Sequence, residues 1–194
     1  MEAWTEVNLV PVETLDHALL VDVVDPLVHE ELGQEIETWF FLWEPELRLR
    51  IRWRESERAE ENRHRLEGVL DRRKAERRLA DWYEGAHGVR GETYAGEADH
   101  YGPEVWPRIQ RDWMNGSELA LELIKLERAG RLTKPRDYHW KRHVHLFTNQ
   151  LIGPIESEIE LCLEQALGYT RLLGNRPTPQ AARLIAELRD LLQD

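Results

Sequence analysis

The stretch "ELRLRIRWRE", Glu46 to Glu55, decides the fold. In a strand, residues two apart share a face, so Leu47, Leu49, Ile51 and Trp53 line one side and Arg48, Arg50, Arg52 and Arg54 the other. Guanidinium stems on one face leave the backbone roughly 7 Å apart. Unit charges at that spacing repel by about 0.6 kcal/mol in water, and several-fold more when partly buried. In a chain of net charge −11, something anionic should face them. Two answers fit the pattern. The arginines splay into solvent or pair with carboxylates of a following helix, where Glu55, Glu57, Glu60 and Glu61 stand. Alternatively they form an anion-binding floor, since arginine forks suit carboxylate and phosphate.

Upstream, "TWFFLWE" is a nearly continuous apolar run, as a buried strand would be, and the short link at Glu44 and Pro45 makes it an antiparallel hairpin with the arginine strand. Residues 3–12, rich in β-branched side chains, read as a first strand. Thr14 or Asp16 then caps a helix with an apolar stripe at Leu19, Val23, Leu27 and Leu32, which Pro26 should kink. The opening is strand, helix, strand, strand.

Downstream, Ser56 to about Tyr83 is strongly charged with sparse apolar residues and reads as one long exposed helix or two shorter ones. The glycine-rich "EGAHGVRGETYAGEADHYGP" reads as a loop region or flexible strand pair. Pro103 opens a short helix that Asn115 and Gly116 break, and Ser117 caps the next, which Gly130 ends. A further helix follows Pro135 and stops at Gly153. Pro154 and Thr178–Pro179 start two more. The fold class is therefore α+β: an antiparallel sheet with a β-α-β-β opening, covered by helices and helix-rich in its second half. A single domain over 1–194 is expected.

The chain is 41% hydrophobic with eight tryptophans, which argues against disorder. Acidic residues outnumber basic ones, 37 to 26, which argues against non-specific duplex binding driven by global charge, and no specific DNA binding is expected. One cysteine, Cys162, rules out an intrachain disulfide framework. The N-terminus lacks a signal pattern, and Asp22 and Asp25 interrupt the most apolar stretch, so the expectation is a soluble, cytoplasmic protein without a membrane span. A homodimer is compatible with all of this.

His139 and His143 have metal-ligand spacing, but Lys141 and Arg142 between them oppose a divalent ion, and no metal or cofactor is expected. His145 and Asn149 stand four apart with Arg142 one turn earlier. A histidine held by an amide suits acid–base work, and a structural histidine fits the spacing equally well. Glu97 and His100 stand three apart in "YAGEADHYG", beside Tyr94 and Tyr101. No nucleophile elbow, phosphate-binding glycine loop or dinucleotide fingerprint is present.

Taken in order, these pieces resemble the C-terminal, elimination-type domain of lantibiotic dehydratases, also found as the thiopeptide-type bacteriocin biosynthesis domain. The counterparts are Trp4, Leu19 and Leu20, Pro26 and Leu27, Trp39 to Phe41, "ELRLR" from Glu46 to Arg50, "YAGEADHYGP" from Tyr94, "NGSELAL" around Ser117, and "HLFTNQL" from His145. Where the family pattern has histidine, arginine, glycine and arginine, this chain has Glu46, His100, Pro103 and Gln150. The resemblance implies elimination of glutamate from glutamylated serine or threonine of a precursor peptide, with a separate glutamyl-tRNA-dependent subunit supplying the glutamylation. In that chemistry Arg48 and Arg50 hold a carboxylate or developing oxyanion, His145 transfers the proton, and Glu97 and His100 shape the loop side. Arg52, Tyr94, Asn149 and Arg142 contribute substrate contacts. The alternatives are a non-catalytic subunit that binds precursor peptide or tRNA, and a pyridine-forming cycloaddition enzyme.

Overall fold

The computed structural model describes residues 2–13, 17–43 and 46–152, together with 162, 163 and 183, and for 146–152 the backbone alone. The chain divides into two compact units, Met1–Thr133 and Lys134–Asp194. The first unit carries strands β1 (Trp4–Val10), β2 (Ile36–Trp43), β3 (Leu47–Trp53), β4 (Asp81–Ala86) and β5 (Val89–Arg90). They form one antiparallel sheet in the order β2-β3-β1-β4-β5.

The period-2 alternation of β3 is realised as expected. Leu47, Leu49 and Ile51 are fully buried, and Trp53 nearly so, in a core shared with Val7 and Leu9 of β1 and Trp39 of β2. Leu20, Val23, Val24 and Leu27 cover this face. They come from a backbone that stays helical from 18 to 31, with π-helical turns at Leu20–Val24 and Leu27–Glu31. Pro26 sits between them at helical dihedrals, φ −64° and ψ −32°. A proline has no N–H for the usual ladder, and wider i→i−5 bonds on either side, Asp25 N–H to Leu20 O and Leu32 N–H to Leu27 O, close the backbone instead.

Two expectations are corrected. Helix α1 (Ala59–Ala75) stops well before Tyr83, and β4 begins at Asp81. The stop is made by Arg77 at φ 58°, with Arg78 N–H bonded to Arg73 O, a helix-ending motif that usually carries glycine. With arginine there, the sequence carries no visible terminator. Conversely, Asn115 and Gly116 break nothing: after the four-residue α2 (Ala98–Tyr101), α3 runs unbroken as Trp106–Arg128. Burial of Trp106, Leu121, Leu123 and Ile124 along α3 outweighs the roughly 1 kcal/mol helix cost of one glycine. Ser117 does not cap. Its hydroxyl donates to Trp113 O and accepts from Phe41 N–H, so α3 satisfies an edge group of β2.

In the second unit α4 spans Arg136–Ile152. The caps at Thr14 or Asp16, the turn at Glu44 and Pro45, and the helices expected after Pro154 and Thr178 lie outside the described residues, apart from Cys162, Leu163 and Arg183, which are helical. Among the described residues no helix is long and apolar enough to cross a membrane.

Candidate active site

The second face of the sheet carries the arginines, and it is turned inward. Register places Glu6 of β1 and Phe40 of β2 on either side of Arg50, and Asn8 and Leu42 on either side of Arg48. Arg50 is 1% exposed, among the largest fully buried side chains. Its Nε donates to Glu6 Oε2 at 2.6 Å, and one terminal nitrogen donates to Glu97 Oε1 at 2.6 Å and to the Tyr94 hydroxyl at 3.3 Å. The other lies 3.3 Å from His87 Nδ1. The guanidinium also sits 4.1 Å from the Tyr94 ring centroid and 5.6 Å from that of Phe40, adding cation–π attraction. The anion facing the strand is thus the chain's own pair of carboxylates.

Exposure grades this network from inside to outside. The side chains of Glu6 and Arg50 are 0% and 2% exposed, whereas that of Glu97 is 20%. Tyr94 links the layers, accepting from Arg50 and donating to Glu97 Oε1 at 3.3 Å. Burial, reinforced by the Glu97 charge, raises its phenol well above the usual tyrosine range despite the opposing Arg50, which keeps it protonated as a donor. Glu97 also begins α2, where its carbonyl accepts the His100 N–H, while its carboxylate turns away from that helix toward Arg50.

The β4–β5 hairpin closes one side. His87 and Gly88 form its two-residue turn with φ 52° and 80°, between the paired Ala86 and Val89, as a type I′ turn requires. Gly88 N–H donates to Glu6 Oε1 at 3.3 Å, and a Cβ at Gly88 would lie 3.1 Å from a terminal nitrogen of Arg48. The turn therefore rests on both arginines. Glu46, at the start of the strand, accepts from the Tyr83 hydroxyl at 2.6 Å, a contact that raises the Tyr83 phenol first, with burial adding.

On the other side an aromatic cluster of Trp4, Phe40, Tyr94 and Trp106, with Tyr101 and Trp113, packs over the face. Within it the Glu2 carboxylate accepts from Trp4 Nε1 at 2.9 Å, Trp106 Nε1 at 3.1 Å, Gln110 Nε2 at 3.3 Å and Arg52 at 2.7 Å. Partial burial raises the Glu2 carboxyl, but these hydrogen bonds and the Arg52 charge together outweigh it, leaving the group below its ordinary value.

The structure thus joins Arg50, Glu97 and Tyr94 directly and places Arg48 on the same face, half-buried. Arg52 is held by Glu2 and Glu37, and Arg54 donates to the carbonyls of Gln34 and Ile36, so neither pairs with Glu55, Glu57, Glu60 or Glu61. His100 is exposed on α2, its ring edge-on to Tyr101 at 4.7 Å. Arg142, His145 and Asn149 belong to α4 in the second unit. There Arg142 is exposed and His145 half-buried, and Asn149 is described by its backbone alone. Among the described residues no three His, Cys, Asp or Glu side chains gather as metal ligands. Sequence reasoning missed Glu6 and His87. The available signal for Glu6 was the alternation Glu6–Asn8 in an otherwise apolar strand; for His87 it was a His–Gly pair between two strand-like runs.

Residues 4–192, nearly the whole chain, match the family described as the C-terminal part of the dehydratase of lantibiotic biosynthesis. The chain belongs to this family. The match runs through both units of this lantibiotic dehydratase C-terminal domain. Among solved structures it is similar to the tRNA-dependent lantibiotic dehydratase MibB from Microbispora sp. 107891, with a TM-score of 0.52 and 22% identity. The likeness covers 65% of this chain and 12% of that one, and at this identity it speaks for the fold. No curated protein sequence matches the chain.

Proposed function

We propose that this domain acts in the biosynthesis of a ribosomally made, lantibiotic-type peptide by eliminating glutamate from glutamylated serine or threonine. The observation that carries the reading is the meeting of two family motifs, the strand arginines and the Tyr-x-x-Glu loop, in one hydrogen-bonded group: Arg50 with Glu97 at 2.6 Å and Tyr94 at 3.3 Å. The reaction removes the residue's α-proton, develops enolate-like charge, breaks the Cβ–O bond and releases glutamate as a carboxylate. It needs a base, anion stabilisation and fixed geometry.

Arg50 contributes a buried positive charge that holds the Glu97 carboxyl group in place. Its donors are engaged by Glu6, Glu97, Tyr94 and His87, so it acts through that network rather than as an open carboxylate clamp. Arg48, on the same face, takes the carboxylate-binding role in this reading. Glu97, the more exposed carboxylate of the network, accepts from the glutamyl ammonium or a peptide N–H. His145 as the proton carrier, with Arg142 and Asn149 beside it, is proposed on the helix motif alone. MibB is a tRNA-dependent dehydratase. By analogy, a glutamyl-tRNA-dependent partner or further domain supplies the glutamylated peptide here.

A second reading, a peptide-binding domain without catalysis, draws on the neutralisation of Arg50 by Glu6 and Glu97 and on the exposed His100 where the family has arginine. One assay separates the two: incubate the protein with a glutamylated precursor and follow free glutamate and peptide mass. Glutamate release that drops at least about tenfold in Arg48→Met, Glu97→Gln and His145→Ala supports elimination. Peptide binding at unchanged mass with the wild-type protein overturns it in favour of the binding domain.

A further inference from the structure

We infer that His87 is a substrate-facing hydrogen-bond donor of the Arg50 site, presenting Nε2–H to the carboxylate of the departing glutamate. The inference rests on the elimination reading above. A guanidinium has only donors, so the 3.3 Å contact from Arg50 makes His87 Nδ1 an acceptor and places the ring proton of the neutral imidazole on Nε2. Among the described residues that nitrogen has no protein partner, and the residue is exposed while the arginine behind it is buried. Arg50 thus fixes the tautomer from inside and leaves one oriented donor at the mouth of the network.

The backbone supports an assigned role for this imidazole. His87 stands at φ 52°, a left-handed conformation that costs an ordinary residue about 1–2 kcal/mol and that glycine or asparagine fills more readily in this turn type. The turn is also tied down, since Gly88 N–H donates to Glu6 Oε1, and it packs closely on Arg48, where a Cβ at Gly88 would stand 3.1 Å from a terminal nitrogen. The ring edge meets Tyr94 with centroids 5.9 Å apart. Strain retained at an exposed position, with the side chain aimed at a buried charge, is the arrangement expected of a pre-positioned functional group. Among the described residues no other histidine side chain is hydrogen-bonded to Arg50, Glu6 or Glu97.

The informative variant is His87→Asn. Asparagine tolerates the turn, and its Oδ1 can accept from Arg50 in place of Nδ1, but it places no donor where Nε2 stands. Two measurements are made on wild-type and variant protein with matched melting temperatures: L-glutamate binding by calorimetry, with the His87 Nε2 resonance followed by nitrogen NMR, and glutamate release from a glutamylated peptide. The expected result is a shift of that resonance on glutamate addition, about tenfold weaker binding in the variant, and release slowed tenfold or more. Equal binding and equal release in the two proteins overturn the inference, as does the absence of glutamate binding to the wild type. If the wild type releases no glutamate yet binds it through His87, the elimination reading fails while the donor role stands.

Discussion

Replacing Arg50 by methionine keeps most of the stem and removes the charge. Glu6, 0% exposed at its side chain and 2.6 Å from Arg50 Nε, is then left buried without its counter-ion. Removing one partner of a buried ion pair costs about 3–5 kcal/mol. Glu97, partly solvated, adds little beyond that. At roughly 3 °C per kcal/mol for a chain of this size, the melting temperature should fall by about 9–15 °C. Glu6→Gln alone leaves Arg50 buried with Glu97 still in place, so its cost is smaller, about 1–3 kcal/mol. In the double variant neither charge is stranded, and the combined loss should fall short of the sum by at least about 2 kcal/mol. Urea unfolding followed by tryptophan fluorescence reads all three, since Trp4 and Trp106 pack on this face. A single-variant cost below about 1 kcal/mol, or additivity within about 0.5 kcal/mol, would refute the account of Arg50 as a buried, internally neutralised charge.

Gly116→Ala should stabilise the protein by about 0.5–1 kcal/mol, because the position is mid-helix and nothing lies within 4 Å of a Cβ there; destabilisation in the same unfolding assay would restore the expected break. His29 bridges Asp25 at 2.8 Å and Glu118 at 3.0 Å; partial burial lowers its pKa, but the two acidic partners raise it more, so the folded value lies above the unfolded one. The stability it contributes is complete below the unfolded value, near 6.5, and is lost as pH rises through the raised folded value. Melting temperatures between pH 6 and 8 should therefore fall less steeply with pH in His29→Gln than in the wild type; parallel curves would count against the bridge. Ser117→Ala leaves Phe41 N–H without its acceptor and should cost about 1–2 kcal/mol by denaturant titration, with a neutral result showing that water replaces the hydroxyl.

What the sequence determined by itself is local periodicity and its consequence. Two-residue alternation put Leu47, Leu49, Ile51 and Trp53 on one face and the arginines on the other, while the adjoining strands followed from a continuous apolar run and β-branched composition and the helix after Pro135 from its start and stop residues. Like charges so closely spaced also raised the expectation of an anion opposite the arginines, beside the alternative that they splay into solvent. Which anion could not be read, because Glu6 and Glu97 lie 44 and 47 residues from Arg50, and only the β1–β3 register and the path of the loop before α2 bring them within 2.6 Å. The nearby Glu55, Glu57, Glu60 and Glu61 were the obvious partners in sequence and are not the ones used. The misplaced boundaries have the same origin: Arg77 ended a helix in a conformation that sequence assigns to glycine, and Gly116 stayed inside one because burial along α3 outweighed its own preference. His87 became legible only in three dimensions, since a turn histidine acquires a fixed tautomer from the charge that packs behind it.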